Sequence, residues 1–301
     1  MLSNFDYLWK RLLCVCVCVC VNSTLGWCCD CPCWKKETLY FKIDKTAQDE
    51  VIKKCINNTW YDKRQGEVLL LKEAEEGDTD VLSVTGSGNN WEITDQGKVL
   101  GSAGCNPEGN KWIIVKVTTW DDDSKSAGDS FIFYVDEITC IQDNWFSYCV
   151  FEEIECYSIE IIAANTRAVQ NMHGMFYLVE SALERDEKTD TGPGLIGLDK
   201  LNVENVEDIG SMFFKTIHKQ ATLDQLKGWR FSGENKVDIG YLFSSKVEGL
   251  NFRVLDGWSS ATKNGTVSFS QWVSSPETVF ISNKKYKFTA PRWYDSIKNS
   301  K

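Results

Sequence analysis

The stretch WEITDQGKVLG, from Trp91 to Gly101, returns later in the chain as WRFSGENKVDIG, from Trp229 to Gly240. A shift of 138 positions aligns the two copies and continues without a gap through nine identities in sixty-one aligned positions. An internal repeat of this length indicates tandem structural units, and it has to be considered before a fold is assigned. We therefore predict two related units, residues 37–152 and residues 153–301.

Each predicted unit opens with a strand and continues into a helix. Residues 39–43 alternate apolar and polar side chains, which indicates a half-buried strand, and residues 46–56 have the spacing of a short amphipathic helix. The second unit repeats this order, with alternation over residues 157–161 and a helix that begins near Asn165. The apolar positions of that helix, and of a second helical pattern after it, are Val169, Met172, Phe176, Val179 and Leu183, then Val203, Val206, Ile209, Phe213 and Ile217.

Short strands follow the helical part of each unit. Those of the first unit are predicted at residues 67–71, 81–85, 91–94, 99–102, 112–120, 130–139 and 145–151. Residues 250–258 and 267–273 are their counterparts in the second unit. Sequential strands with short links pair antiparallel. The predicted fold class is therefore α+β, with each unit an antiparallel meander or a partly closed barrel packed against a helix.

Residues 1–26 are predicted to be a signal peptide. Lys10 and Arg11 precede an apolar run of ten residues, 12–21, and Gly26 is a small residue at a suitable place for cleavage. Ten apolar residues are too few to span a bilayer as a helix, so we expect a secreted protein without a membrane span. The alternative is that the strict Cys-Val alternation is low-complexity sequence without structure.

The thirteen cysteines are distributed unevenly, since eight lie before residue 34 and none follows Cys156. Residues 27–36 form a Cys-rich tail that lacks the second C-x-x-C half and the histidines of a zinc site. The disulfide candidates are Cys105, Cys140, Cys149 and Cys156. Because the second unit has no thiol beyond its first few residues, we expect that the fold does not depend on disulfides.

Charge and histidine content exclude several classes of function. A net charge of −10 would repel nucleic-acid phosphates, so nucleic acid is not an expected partner. His173 and His218 are the only histidines, which argues against Ser-His-Asp or Cys-His catalysis and against a His-rich metal site. Neither glycine triplet, at residues 86–88 or 192–194, precedes a predicted helix as a phosphate-binding loop requires, and no cofactor is predicted.

Two segments are metal candidates, the thiolates of residues 28–33 for a soft metal ion and an acidic loop for calcium. Asp121, Asp123 and Asp129 provide carboxylate oxygens of the kind that calcium prefers, but Lys125 stands among them and the aligned positions of the second unit carry no carboxylate. The alternative interpretation is a solvated hairpin tip.

The twelve tryptophans suggest carbohydrate binding, because flat aromatic faces suit sugar rings. Four of them, Trp91, Trp120, Trp229 and Trp258, recur between the copies and are predicted to be core residues. The candidates for a ligand platform are the unrepeated Trp60, Trp145, Trp272 and Trp293. Glycosylation sequons at Asn57 and Asn264 are compatible with secretion.

These patterns favour a secreted, non-enzymatic recognition protein with tandem domains that binds a protein or a glycan. The first alternative is a lipocalin-like or barrel carrier of a small apolar ligand, and the second is a carboxylate-based hydrolase. Residues 58–61, Asn-Thr-Trp-Tyr, are distantly similar to the opening motif of lipocalins but lack its glycine. A closed apolar cavity would favour the carrier. A cleft with two facing carboxylates would favour the hydrolase.

Overall fold

The structure, a computed structural model, describes residues 36–46, 48–56, 68–93, 111–121, 123–124, 126–136, 151, 156–177, 179, 194–214, 216, 219–232, 237–240, 242–243, 250–258 and 291–292. All of them belong to one compact unit formed by residues 35–301.

The fold is mostly β, with a mixed sheet of eight strands curled into a half-barrel. The strands are β1 Glu37–Ile43, β2 Val68–Glu73, β3 Leu82–Ser87, β4 Asn90–Ile93, β5 Trp112–Asp121, β6 Ser126–Asp136, β7 Ser158–Asn165 and β8 Gly194–Ile196. Their order in the sheet is β4-β3-β1-β2-β6-β5-β7-β8. Neighbouring strands pair antiparallel from β4 to β7, and β8 pairs parallel with β7.

The described helices are few and short. They are α1 Gln48–Cys55, α2 Gln220–Asp224 and the 3₁₀ helices Leu198–Lys200, Gln225–Gly228 and Phe252–Trp258. The predicted opening of strand followed by helix is confirmed by β1 and α1, and the predicted strand at residues 157–161 is confirmed by β7. The predicted strands at residues 67–71, 81–85, 91–94, 112–120 and 130–139 correspond to β2 to β6 with shifted ends.

Both faces of β2 and β5 are largely buried, which explains why these two strands are nearly continuous apolar runs. Along β5, Ile113, Val115 and Val117 enter one core cluster, while Trp112 and Ile114 enter another. Successive strand side chains point to opposite faces, so a single strand contributes to two layers. A register shift between Ile114 and Val115 in the antiparallel β5–β7 pairing marks a bulge.

The curl of the sheet brings its distant strands together. The second of these clusters contains Trp91 and Ile93 of β4 as well as Ala163 of β7, although the two strands lie six places apart in the sheet order. β4 also contacts β7 directly. The start of β4 is therefore placed near the end of β7.

The helices predicted after Asn165 are wrong, because these segments are coils stacked in parallel. The backbone N–H groups of Met172, Gly174 and Phe176 donate to the carbonyls of Asp208, Gly210 and Met212 in the next coil, instead of to residues four positions earlier. In turn Ile209, Ser211 and Phe213 donate to Asp238, Gly240 and Leu242. Apolar residues spaced three and four apart face one side in a helix. Over residues 172–176, however, every second N–H group donates to the next coil, as in a strand.

We call the described residues between 158 and 258 the coil stack, and β7 and β8 open its first two coils. Coil 1 is residues 158–177, coil 2 is residues 194–214, coil 3 comprises residues 220–232, 237–240 and 242–243, and coil 4 is residues 250–258. Parallel bridges join Asn171 to Asp208 and Asp208 to Asp238, and these set the register between coils.

Two apolar ladders fill the coil stack. Phe176, Phe213 and Phe243 are fully buried, with neighbouring ring centroids 6.1 and 6.0 Å apart. In the second ladder, Trp229 and Trp258 stack at 5.9 Å, and each indole Nε1 donates to the carbonyl of a leucine in the preceding coil, at 2.9 Å for Leu198 and 3.3 Å for Leu226. Repetition of the same contact identifies the coils as structural repeats.

The predicted strand at residues 250–258 is also wrong, since Phe252–Trp258 is a 3₁₀ helix. Its predicted counterpart at residues 112–120 lies in β5, so Trp120 and Trp258 do not occupy equivalent places. The tandem two-unit interpretation is not confirmed. β7 lies beyond the predicted boundary at residue 152 and pairs with β5, and the first core cluster includes residues from both sides of that boundary. The predicted strands at residues 99–102 and 267–273, and residues 145–150, lie outside the described residues.

Candidate functional site

A polar cleft of about 490 Å³ lies between the β3–β4 hairpin and the first two coils. Ligand sites for small molecules commonly have 300–1,000 Å³, so a volume of about 490 Å³ is in the usual range. The residues that line it are Asn89, Asn90, Trp91, Glu92, Asn165, Arg167, Ala168, Asn202, Glu204 and Asn205. Half of these residues are asparagines.

The hairpin wall is held in shape by Trp91. Its indole Nε1 donates to the carbonyl of Gly88 at 2.7 Å, and its side chain is 4% exposed. Gly86 makes this packing feasible, because a Cβ at that position would lie 2.7 Å from the Trp91 ring. Gly88 turns the chain with φ of 54°, a conformation that costs glycine little. The buried indole therefore fixes the turn that carries Asn89 and Asn90.

The coil wall is built from equivalent positions of two successive coils. The Asn171–Asp208 bridge pairs residues that are 37 positions apart in the sequence. The same shift relates the three lining residues of coil 1, which are Asn165, Arg167 and Ala168, to the three of coil 2, which are Asn202, Glu204 and Asn205. The same face of the repeat therefore lines the cleft in both coil 1 and coil 2.

Hydrogen bonds between the coils fix this wall. The Thr166 hydroxyl donates to the carbonyl of Asn202 and accepts the N–H of Asn202, both at 2.8 Å. Asn205 Nδ2 donates to the carbonyl of Arg167 at 2.7 Å, and Asn202 Oδ1 accepts the N–H of Glu204 at 3.0 Å. Both amides are thereby oriented by one of their atoms, which is the preorganisation that a binding site needs.

The other atom of each amide remains available to a ligand. Within the described residues, Asn202 Nδ2 donates to no acceptor and Asn205 Oδ1 accepts from no donor. The side chains of Arg167, Glu92 and Glu204 are exposed and have no hydrogen bond or ion pair to any described residue. The cleft thus offers neutral donors and acceptors together with one cation and two anions.

Lys200 connects the two walls. Its Nζ donates to the carbonyl of Ile162 at 2.7 Å and lies 5.7 Å from the centroid of the Trp91 ring. A cation over an indole face is attracted to it. Coil 2 is therefore linked to β7 and to the hairpin by a single side chain beside the cleft.

A second, apolar cavity lies beside Cys156 and encloses about 10 Å³. A volume of this size holds at most one water molecule. It gives no support to the carrier of an apolar ligand.

The coil stack also contains the one described histidine. His173 Nδ1 lies 3.1 Å from Asp208 Oδ1, and the imidazole lies above Gly210, where a Cβ would come within 2.8 Å of Nδ1. The hydrogen bond to Asp208 raises the pKa of His173, and the negative charges of Asp208 and Asp238 act in the same direction against the effect of burial. Asp208 Oδ1 also accepts the N–H of Gly210 at 2.7 Å. This histidine has a structural contact between two coils, not a place in the cleft.

The predicted calcium loop is the tip of the β5–β6 hairpin. The Asp121 carboxylate accepts the hydroxyl of Ser124 at 2.6 Å and the N–H groups of Asp123 and Ser124, and these hydrogen bonds hold the pKa of Asp121 below its usual value. Asp123 and Asp129 are exposed. Among the described residues, no group of three acidic, His or Cys side chains is placed to hold a metal ion.

The remaining predicted site residues have simple outcomes. Cys156 is a buried free thiol, as is Cys55, and burial raises the pKa of Cys55 to about 11 and of Cys156 to about 12. The residues that lie outside the described part of the chain are Trp60, Trp145, Trp272 and Trp293 of the predicted platform, the sequons at Asn57 and Asn264, and Cys105, Cys140 and Cys149.

The sequence analysis did not identify the residues of the cleft, although a signal for them was present. Residues 165–176, NTRAVQNMHGMF, and residues 202–213, NVENVEDIGSMF, share asparagine at the start and Met-Phe at the end. The shift that aligns them is the one that the structure shows between coils 1 and 2. The signal is a repeat period of 37 residues, which is much shorter than the shift of 138 positions.

Comparisons of the chain with protein-family models, with curated proteins and with solved structures found no match. None of the helices that the structure describes is both long and apolar enough to cross a membrane.

Proposed function

We propose that this chain is a secreted, non-enzymatic recognition protein that binds a glycan in the polar cleft. The observation that carries the proposal is the set of oriented amides on the coil wall, Asn202 and Asn205, each with one atom left for a ligand. A sugar hydroxyl both donates and accepts a hydrogen bond, and an amide side chain complements it with the same pair of functions.

The charges of the cleft fit a ligand that is mostly neutral. Arg167 lines the cleft together with two carboxylates, those of Glu92 and Glu204, so no single sign of charge dominates. A strongly anionic partner such as nucleic acid would meet repulsion from the two carboxylates and from the net charge of −10. A hydroxyl-rich ligand uses both kinds of charged group as hydrogen-bond partners.

A carboxylate-based hydrolase is the second candidate, because Glu92 and Glu204 line the same cleft. Glycoside hydrolysis by two carboxyl groups needs one of them to be kept protonated, usually by an apolar environment. Both glutamates are exposed to solvent. We therefore favour binding over catalysis, and product analysis of a bound oligosaccharide tests the choice.

The proposal is tested by applying the full-length protein to an array of neutral and acidic glycans and titrating the best ligand calorimetrically. Replacing Arg167 by Ala removes a charged donor of the cleft and should raise the Kd about 10- to 100-fold, the effect of a charge-assisted hydrogen bond of roughly 1.5–3 kcal/mol. Arg253→Ala is the matched control, since Arg253 is exposed on the 3₁₀ helix of coil 4. Its Kd should equal that of the wild type.

Three outcomes contradict the proposal. They are the absence of any glycan ligand, an equal loss of affinity in both arginine variants, and cleavage of the ligand that stops in Glu92→Gln or Glu204→Gln. The last result would establish the hydrolase instead.

A further inference from the structure

The cleft runs along the free edge of the sheet at β4. This strand is the first in the sheet order, and β3 is the one described strand that pairs with it. The cleft is lined by Asn90, Trp91 and Glu92, which are successive residues of β4. Successive side chains of a strand point to opposite faces, so a cleft that all three residues line follows the edge of the strand.

The pairing register shows which main-chain groups β4 presents at this edge. Residues 88–89 form a two-residue turn, so Ser87 and Asn90 are the hydrogen-bonded pair that closes the hairpin. Hydrogen-bonded and non-hydrogen-bonded pairs alternate along an antiparallel ladder. Asn90 and Glu92 therefore bond to β3, and the N–H and C=O groups of Trp91 point away from it.

The neighbouring strands agree with this alternation. The carbonyl of Tyr40 in β1 accepts the N–H of the residue that follows β2 at 3.0 Å, so Leu39 bonds to Val84 of β3 and Thr85 is left to bond to β4. Within the described residues, the main-chain N–H of Trp91 has no acceptor and its carbonyl has no donor. Both groups are available at the edge that the cleft follows.

The opposite wall of the cleft presents a complementary acceptor. Asn205 Nδ2 donates to the carbonyl of Arg167, which leaves Oδ1 as the atom of this amide without a partner among the described residues. The hairpin wall therefore offers a main-chain N–H, and the coil wall offers a carbonyl oxygen. A trans secondary amide carries its C=O and its N–H on opposite sides, so it can bond to two walls at once, as a peptide group does between two strands.

We propose that the cleft binds the acetamido group of an N-acetylated sugar between Trp91 and Asn205. This inference rests on the proposed glycan-binding function and names the ligand group that the cleft selects. The acetamido carbonyl accepts the main-chain N–H of Trp91, and the acetamido N–H donates to Oδ1 of Asn205. Ala168 is the one aliphatic residue among those that line the cleft, and it is exposed to contact the acetyl methyl. An acetamido group is uncharged, which suits the mixed charges of the cleft.

The preference for an acetamido group is measured with the methyl glycosides of N-acetylglucosamine and of glucose, applied to the full-length protein. The two probes differ in one position of the sugar, where glucose has a hydroxyl. Calorimetric titration should give a Kd about tenfold lower for the N-acetylglucosamine glycoside, because the acetamido group bonds to both walls. Equal affinities would overturn the inference.

Asn205→Ala removes the acceptor of the acetamido N–H and should reduce the tenfold preference to about threefold, since the bond to Trp91 remains. Asn89→Ala is the matched control, because it removes an amide from the hairpin wall of the same cleft. This variant should keep the tenfold preference. Each preference is a ratio of two affinities of one variant, so a partly unfolded variant does not imitate the effect. An equal change of the preference in both variants, or no change in either, would contradict the role of Asn205.

Hydrogen exchange followed by NMR tests the contact with β4 directly. Without a ligand, the N–H of Trp91 should exchange faster than the N–H of Glu92, which is bonded to β3. Saturation with the N-acetylglucosamine glycoside should slow the exchange of Trp91, and saturation with the glucose glycoside should not. The same rate for Trp91 with both glycosides would show that the acetamido carbonyl does not bind to this edge.

The outcomes distinguish this inference from the function on which it rests. If glycans bind without a preference for the acetamido group, the acetamido site is wrong while the glycan-binding cleft remains. If no glycan of any kind binds, the proposed function itself fails.

Discussion

The half-barrel and the coil stack bury apolar side chains in the same core cluster, yet they are held together by different contacts. In the half-barrel, long strands pair by runs of backbone hydrogen bonds, as β5 does with β6. In the coil stack, single bridges alternate with side-chain contacts: stacked rings, indole hydrogen bonds to carbonyls and the link from His173 to Asp208. The coil stack should therefore be more sensitive to changes in single side chains.

The largest effect is expected for Phe213→Ala in the coil stack. Phe213 is 0% exposed and lies between Phe176 and Phe243, with Trp229 beside it. Removal of such a ring from a packed interior costs about 3–5 kcal/mol of the free energy of unfolding. Urea denaturation measures the loss.

Phe214→Ala is the control, because Phe214 is half-buried and stacks only on Tyr177 among the described rings. It should cost clearly less. An equal loss in both variants would show that the ladder of buried rings is not what stabilises the coils.

Glycine substitutions compare backbone and side-chain packing in the two regions. A Cβ at Gly86 in the half-barrel would lie 2.6 Å from the Cα of Trp91, whereas a Cβ at Gly210 in coil 2 would meet the imidazole of His173 at 2.8 Å. Backbone atoms of a paired strand cannot move aside, but a side chain can change rotamer. We expect Gly86→Ala to cost about 3 kcal/mol and Gly210→Ala about 1 kcal/mol, at the two ends of the range for overpacking.

Thermal and urea unfolding of both variants check this order. Gly228→Ala is the reference, since no atom lies within 4 Å of its Cβ position. It should leave stability unchanged or raise it slightly. The reverse order, with Gly210→Ala the more damaging change, would mean that the His173 contact is as rigid as the sheet.

The contrast between the two regions also explains which parts of the fold the sequence predicts. Alternation of apolar and polar residues over 39–43 and 157–161 identifies β1 and β7. A strand with one face more polar than the other shows this period of two directly in its sequence. In the coils, Val169, Met172 and Phe176 have helical spacing, but the N–H groups of Met172 and Phe176 bond to a neighbouring coil. A single-sequence pattern records which residues are buried, not the partner of each N–H group.

The residues of the candidate site could not be predicted from the sequence for a similar reason. Asn89 and Asn90 lie in a hairpin, while Asn202 and Asn205 lie more than a hundred residues later, and only the curl of the sheet and the parallel coils bring them to one cleft. The rarity of tryptophan had favoured a platform formed by Trp60, Trp145, Trp272 and Trp293. Asparagine is too common on surfaces for its type alone to mark a site, so the informative feature was its recurrence in coil register.

The smallest expected effect is the pH dependence of the His173–Asp208 contact, which tests whether side chains tie one coil to the next. The hydrogen bond to Asp208 raises the pKa of His173 in the folded protein above the usual value of 6.5. A group with a raised folded-state pKa stabilises the fold fully below its unfolded pKa, and this contribution is lost as the pH rises through the folded-state pKa. His173→Gln should therefore reduce the free energy of unfolding near pH 6 by about 1 kcal/mol or less, the range of partly exposed ion pairs, and should have a smaller effect near pH 8.5.

NMR titration of the imidazole protons is simple because the chain has two histidines, and His218→Gln assigns the His173 signal and serves as the control. A His173 pKa at or below 6.5, or a difference between wild type and variant that is the same at both pH values, would show that the coils are joined here by packing alone.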